Sequence, residues 1–71
     1  MSKFERRYKP MNGLLRTIKE KGYNLHSFSE AIGIPYMNVY RWVNGIYEPY
    51  LRDIKRIADF LGCKVDDLLE D

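Results

Sequence analysis

The chain has 71 residues, 45% of them hydrophobic and 31% charged. That length confines it to one small domain, because a chain of this size buries only about 60% of the surface its unfolded form exposes, and it excludes a large two-domain enzyme. The composition is too apolar for a disordered chain, and the net charge of +2 divides unevenly: +3 over residues 1–10, +3 over residues 11–58 and −4 over residues 59–71, an asymmetry that suits a basic face for a polyanion and an acidic end turned away from it.

Residues 1–10 carry Lys3, Arg6, Arg7 and Lys9 against Glu5 and read as a flexible basic arm, with a folded domain over residues 11–71. Apolar residues then recur at spacings of three and four while strand-type alternation is scarce, so the expected class is all-α. A first helix is predicted to begin near Asn12, a residue suited to capping, to place Leu15 and Ile18 with Met11 and Leu14 on one face, and to stop at Gly22. Asn24 caps a second, very short helix with Leu25, Phe28, Ala31 and Ile32 on its apolar face and Gly33 as its stop. Pro35, with its fixed φ and missing N–H, suits the first turn of a third helix over residues 35–44. That helix carries Val39, Trp42 and Val43 inward and leaves Tyr36, Met37, Asn38, Tyr40 and Arg41 on its first turns and outer side. Beyond Asn44-Gly45 and Pro49, Leu51, Ile54, Ile57, Ala58 and Leu61 form a fourth apolar stripe, closed by Gly62. Asp66 and Asp67 sit where the positive end of a fifth helix dipole favours them, with Val65, Leu68 and Leu69 available to fold back on the core.

The expected fold is a compact bundle of five short helices, and residues 25–46 are its distinctive part. An eight-residue helix, a glycine at its end, an apolar residue in the turn and a helix with polar first-turn residues make a helix-turn-helix. Gly33 permits the left-handed backbone of the turn, while Phe28, Ile34, Val39 and Trp42 pack the two helices at a steep angle and present the second one outward.

With these features in order, the chain resembles the Cro and phage-repressor type of helix-turn-helix domain, the XRE family, over about residues 13–69. The resemblance is carried by residues 14–22 (LLRTIKEKG), Gly33-Ile34, Asn44-Gly45, Pro49, residues 57–62 (IADFLG) and residues 66–69 (DDLL). It departs from the family pattern at Leu25, where glutamine is frequent, and at Ser29, Pro35 and Val43. The resemblance implies a lambda-repressor-like domain whose third helix enters the major groove of double-stranded DNA. Its base-reading positions fall on Tyr36, Met37 and Arg41, with Asn38 and Tyr40 as further candidates. Arg41 is the principal one, since a guanidinium can donate two hydrogen bonds to guanine O6 and N7. Backbone phosphates are expected at the start of the second helix, Leu25 and His26, and in the loop after the third, Asn44 and Tyr47.

The implied function is a sequence-specific transcriptional regulator of bacterial or phage origin, a repressor by operator occupancy, acting as a homodimer on a palindromic site. A domain this small makes few base contacts alone. The end of the fourth helix and the fifth, with Leu68 and Leu69, are the candidate dimer surface. The rival reading is a protein-interaction module or antitoxin-like partner, holding another protein through the cluster of Tyr36, Tyr40, Tyr47 and Tyr50, because tyrosine is enriched in interface hot spots. Trp42 reads as core rather than as a stacking platform.

An enzyme is not expected. His26 has no second histidine or nucleophile motif beside it, Cys63 has no disulfide or resolving partner, and neither a GxxxxGK[ST] nor a GxGxxG loop is present, so no metal, cofactor or small-molecule substrate is expected. The longest charge-free stretch, residues 31–40, falls well short of the roughly 18 apolar residues a membrane span needs, and the N-terminus lacks the apolar run of a secretory signal. A cytoplasmic protein is the expectation.

Overall fold

Apolar spacing, glycine stops and polar caps produce five helices among the described residues: α1 (Asn12–Glu20), α2 (Leu25–Ile32), α3 (Tyr36–Val43), α4 (Leu51–Leu61) and α5 (Val65–Leu69). The computed structural model describes residues 7–70; residues 1–6, which hold Lys3 and Arg6 of the expected arm, and Asp71 lie outside the described residues. The fold is all-α, with α1 packed chiefly on α5 and α2 on α3. At the centre, Leu14, Ile18, Phe28, Val39, Ile57 and Leu68 are fully buried, and Trp42 joins them from α3 as core.

The helix ends show which local signals decide the boundaries. Asn24 caps α2 as expected: its Oδ1 accepts from the Ser27 N–H at 2.8 Å, while Ser27 Oγ accepts from the Asn24 N–H at 2.9 Å. This reciprocal pair satisfies two of the donors a helix start leaves open. Gly33 ends α2 with φ +77°, and its N–H and that of Ile34 both bond the Ser29 carbonyl. Pro35 and Asn44 flank α3 as its caps rather than lying within it.

Asn12 does not cap α1. It is the first helical residue, after Met11, and its side chain makes no capping bond. The Gly13 N–H, one of the donors left over, is satisfied from the far end of the chain by the Glu70 carbonyl at 2.9 Å. The same glycine lets α5 come close: a Cβ on Gly13 would stand 2.3 Å from the Asp67 carbonyl oxygen and 2.9 Å from that of Glu70. Arg16 and Glu70 close this clasp with an ion pair of 2.9 Å at the surface.

Three apolar expectations fail on geometry. Ala31 is exposed while Ser29 is buried, its hydroxyl donating to the His26 carbonyl at 2.8 Å. At about 100° per residue, Phe28, Ser29 and Ile32 share a face from which Ala31 is rotated by roughly a quarter turn. Leu51 is 59% exposed, because it is the first residue of α4 and extends beyond the packed part of the stripe that begins at Ile54. Of the two leucines of α5, Leu68 is buried and Leu69 is 53% exposed; a helix of five residues packs one face only.

No helix among the described residues is long and apolar enough to cross a membrane.

Candidate nucleic-acid interface

The α2–α3 corner is held from below by Phe28, Ile34, Val39 and Trp42, which leaves the opposite side of α3 outward. Met37 is the most open of that row at 40%, while Tyr36, Asn38, Tyr40 and Arg41 are half-buried. Their partial burial comes from each other and from neighbouring elements. Tyr36 stacks on His26 of α2 with ring centroids 3.8 Å apart and planes 2° from parallel, and its other neighbour is Tyr40, 6.2 Å away and tilted by 36°. The stack ties the first turn of α3 to the start of α2.

The start of α2 carries backbone chemistry of its own. The capping pair satisfies the Asn24 and Ser27 N–H groups, and the Phe28 N–H bonds the Asn24 carbonyl at 2.9 Å. Among the described residues the N–H groups of Leu25 and His26 have no acceptor, so two donors at the positive end of a helix dipole lie next to the stacked His26–Tyr36 pair. The Leu25 side chain packs partly against the core, so its contribution to this edge is its backbone.

At the other end of α3, Asn44 turns inward on its own helix, Nδ2 donating to the Tyr40 carbonyl at 2.8 Å. Gly45 follows with φ +73°, which brings the Ile46 N–H to the Arg41 carbonyl at 2.9 Å. Tyr47 comes back over the last turn, its ring centroid 5.4 Å from the Arg41 guanidinium carbon. Gly45 also receives the start of the described chain: the N–H groups of Arg7 and Tyr8 donate to its carbonyl at 3.1 and 2.9 Å, and a Cβ there would stand 2.4 Å from the Tyr8 carbonyl oxygen.

The sequence-predicted residues thus fall into two contact groups, Leu25, His26, Tyr36 and Tyr40 around the start of α2 and Arg41, Asn44 and Tyr47 at the end of α3, with Met37 and Asn38 on the first turn of α3. Sequence reasoning missed the His26–Tyr36 stack, the Arg41–Tyr47 contact and the seating of Arg7 and Tyr8 on Gly45. Only the last left a signal, an Asn-Gly pair at a helix end, which marks a left-handed turn but not what lies against it. Arg56 of α4 donates to the Ile32 carbonyl at the end of α2 and braces the corner from behind.

The remaining chemistry lies elsewhere. Cys63, in the α4–α5 link, is half-buried, and desolvation, with Asp67 adding repulsion, pushes its thiol above the ordinary range. Among the described residues no three His, Cys, Asp or Glu side chains gather as metal ligands.

No curated protein and no solved structure matches the chain. Its sequence does match the Cro/C1-type HTH DNA-binding domain over residues 14–71, which takes in every helix but the first two residues of α1. Domains of that family are typically non-enzymatic and bind double-stranded DNA. With a helix-turn-helix at its centre and that match over most of its length, the chain belongs to the Cro/C1-type HTH DNA-binding domain family.

Proposed function

We propose that the protein is a cytoplasmic, sequence-specific transcriptional regulator of bacterial or phage origin that represses by occupying an operator. In this reading α3 lies in the major groove, with Arg41 donating to a guanine and Tyr36, Met37, Asn38 and Tyr40 meeting neighbouring base edges. The Leu25 and His26 N–H groups, the remaining amide N–H of Asn44 and the Tyr47 hydroxyl hold backbone phosphates on either side. The observation that supports it is that the start of α2, whose Leu25 and His26 N–H groups have no acceptor among the described residues, is joined to the first turn of α3 by the His26–Tyr36 stack. A homodimer on a palindromic operator doubles these few contacts. Leu69, rather than the buried Leu68, is the α5 residue available to its interface.

The test is fluorescence anisotropy with a library-selected duplex and a scrambled control, titrated across salt, for the wild type and for Arg41→Ala. The expected result is a preference of about a thousandfold for the selected site, reduced by about 1–3 kcal/mol in the variant. Equal, weak and salt-erased binding to both duplexes rejects the reading.

A specific observation favours one alternative, an interaction module or antitoxin-like protein that holds a protein partner. Tyr8, Pro49, Tyr47 and Leu69 line an open, mainly apolar cleft of about 190 Å³, and Tyr50 and Leu51 are exposed in the chain just beyond it. Under this alternative, Leu69→Glu abolishes partner binding while leaving any DNA binding intact; under the regulator reading it weakens the dimer, seen by sedimentation, and DNA affinity with it.

A further inference from the structure

We propose that Tyr47 is a positioning residue for sequence readout: its ring holds the Arg41 guanidinium in the plane from which it addresses a guanine. The inference rests on the reading of α3 as the major-groove helix and adds to it a residue that acts through another.

The four arginines borne on helices differ in what they hold. Arg16 pairs with Glu70 at 2.9 Å and Glu20 at 3.9 Å, Arg52 with Asp53 at 3.7 Å, and Arg56 donates to the Ile32 carbonyl. Among the described residues the Arg41 guanidinium has neither a carboxylate nor a carbonyl acceptor; its partner is the Tyr47 ring, 5.4 Å away. The distinction is chemical. A carboxylate would occupy paired N–H donors and neutralise the charge, whereas the face of an aromatic ring attracts the cation and leaves the five in-plane donors unoccupied. A guanidinium held this way keeps its donors for a bidentate contact while losing side-chain freedom before DNA arrives.

The backbone makes the arrangement local and reproducible. Gly45, at φ +73°, reverses the chain, and the N–H groups of Ile46 and Tyr47 return to the Arg41 carbonyl at 2.9 and 3.4 Å. The residue whose ring covers Arg41 is therefore also hydrogen-bonded to it. Arg52 provides the internal contrast: a ring, that of Tyr50, lies 6.0 Å from its guanidinium, but Asp53 also engages it.

The experiment begins with the selected duplex and a set in which each G·C pair is changed in turn to A·T. Anisotropy titration of wild type and Arg41→Ala identifies the pair whose penalty disappears in the variant. That penalty is then measured in Tyr47→Phe, Tyr47→Leu and Tyr47→Leu/Arg41→Ala, with circular dichroism melts confirming that each is folded; Tyr47 is 56% exposed, so its loss leaves the core intact. Tyr47→Phe should keep the penalty, Tyr47→Leu should shrink it by about two- to fivefold, and the double variant should discriminate no worse than Arg41→Ala.

Equal weakening of all duplexes by Tyr47→Leu, with the penalty preserved, overturns the proposal and leaves Tyr47 a phosphate contact. A loss in Tyr47→Leu of the penalty at a pair that Arg41→Ala leaves unchanged overturns it too, since Tyr47 would then read a base itself. If Arg41→Ala erases no penalty, the reading of Arg41 fails and the positioning role fails with it; if Arg41→Ala erases one and Tyr47→Leu does not, only the positioning role fails.

Discussion

The clasp between α1 and α5 and the outer face of α3 are built on opposite terms. In the clasp, backbone meets backbone: the Gly13 N–H bonds the Glu70 carbonyl at 2.9 Å, and the carbonyls of residues 67, 68 and 70 occupy the space a side chain at position 13 would need. On the face, ring meets ring or cation, as in His26 on Tyr36 and Tyr47 against Arg41, with half of each contact open to water. The clasp tolerates almost no change in shape. The face tolerates exchange of its side chains, because the helix beneath is fixed by Val39, Trp42 and Val43. A DNA-binding domain gains from this separation, since the residues that choose a sequence can change without unfolding the scaffold.

The largest expected effect tests the clasp. Helix propensity alone favours Gly13→Ala by about 1 kcal/mol. The 2.3 Å approach of the Asp67 carbonyl oxygen to the new Cβ reverses that sign, because backbone on both sides must separate. A loss of about 3 kcal/mol is expected, about a third to three-quarters of the roughly 4–10 kcal/mol available to a domain of this size, and a thermal melt followed by circular dichroism measures it. A midpoint raised above wild type would break the contrast, showing that α5 moves aside cheaply.

Gly45→Ala should cost less, although its added Cβ meets the Tyr8 carbonyl oxygen at a similar 2.4 Å. Residues 7–9 are exposed, so the clash is relieved by displacing them, and the loss reduces to the left-handed backbone at φ +73°, about 1–2 kcal/mol. The melting midpoint should fall by roughly 5–15 °C, and the amides of Arg7 and Tyr8 should lose protection from hydrogen exchange. Retained protection there with a collapse as large as that of Gly13→Ala would mean that the arm, too, is part of the rigid scaffold.

Asn24→Ala lies between scaffold and face, since it removes the acceptor of the Ser27 N–H at the start of α2. About 1 kcal/mol of stability should be lost by denaturant titration. Asn24→Ser, which keeps a capping oxygen, should recover most of it, and a loss as large with serine as with alanine would place the cap's role elsewhere.

The two regions also differ in how far the sequence disclosed them. The helices, the Gly22, Gly33 and Gly62 stops, the Asn24 cap and the burial of Trp42 follow from neighbours within four residues, and all are found where spacing and turn chemistry put them. The family was legible for the same reason, as an ordered series of local signals matched over residues 14–71. The clasp was not: Gly13 looks like a poor helix former until Glu70 is brought against it, and which of Leu68 and Leu69 faces inward is settled only when the five-residue helix packs. On the face, the candidate residues were named from position, but the His26–Tyr36 stack joins residues ten apart across a corner, and no periodicity encodes which rings will meet.

The smallest effect separates the clasp's two bonds. Glu70 contributes its backbone carbonyl to Gly13 and its carboxylate to Arg16, and Glu70→Gln removes only the charge of the second. The Arg16 and Glu70 side chains are 44% and 60% exposed, so water and salt screen the pair and its removal should cost less than about 1 kcal/mol, shrinking further in high salt. Denaturant titrations at low and high ionic strength measure this directly. A loss near that of Gly13→Ala would make the clasp an electrostatic device; a small, salt-erased loss places its strength in the close backbone contact, where α5 closes on α1 through the one residue that has no side chain.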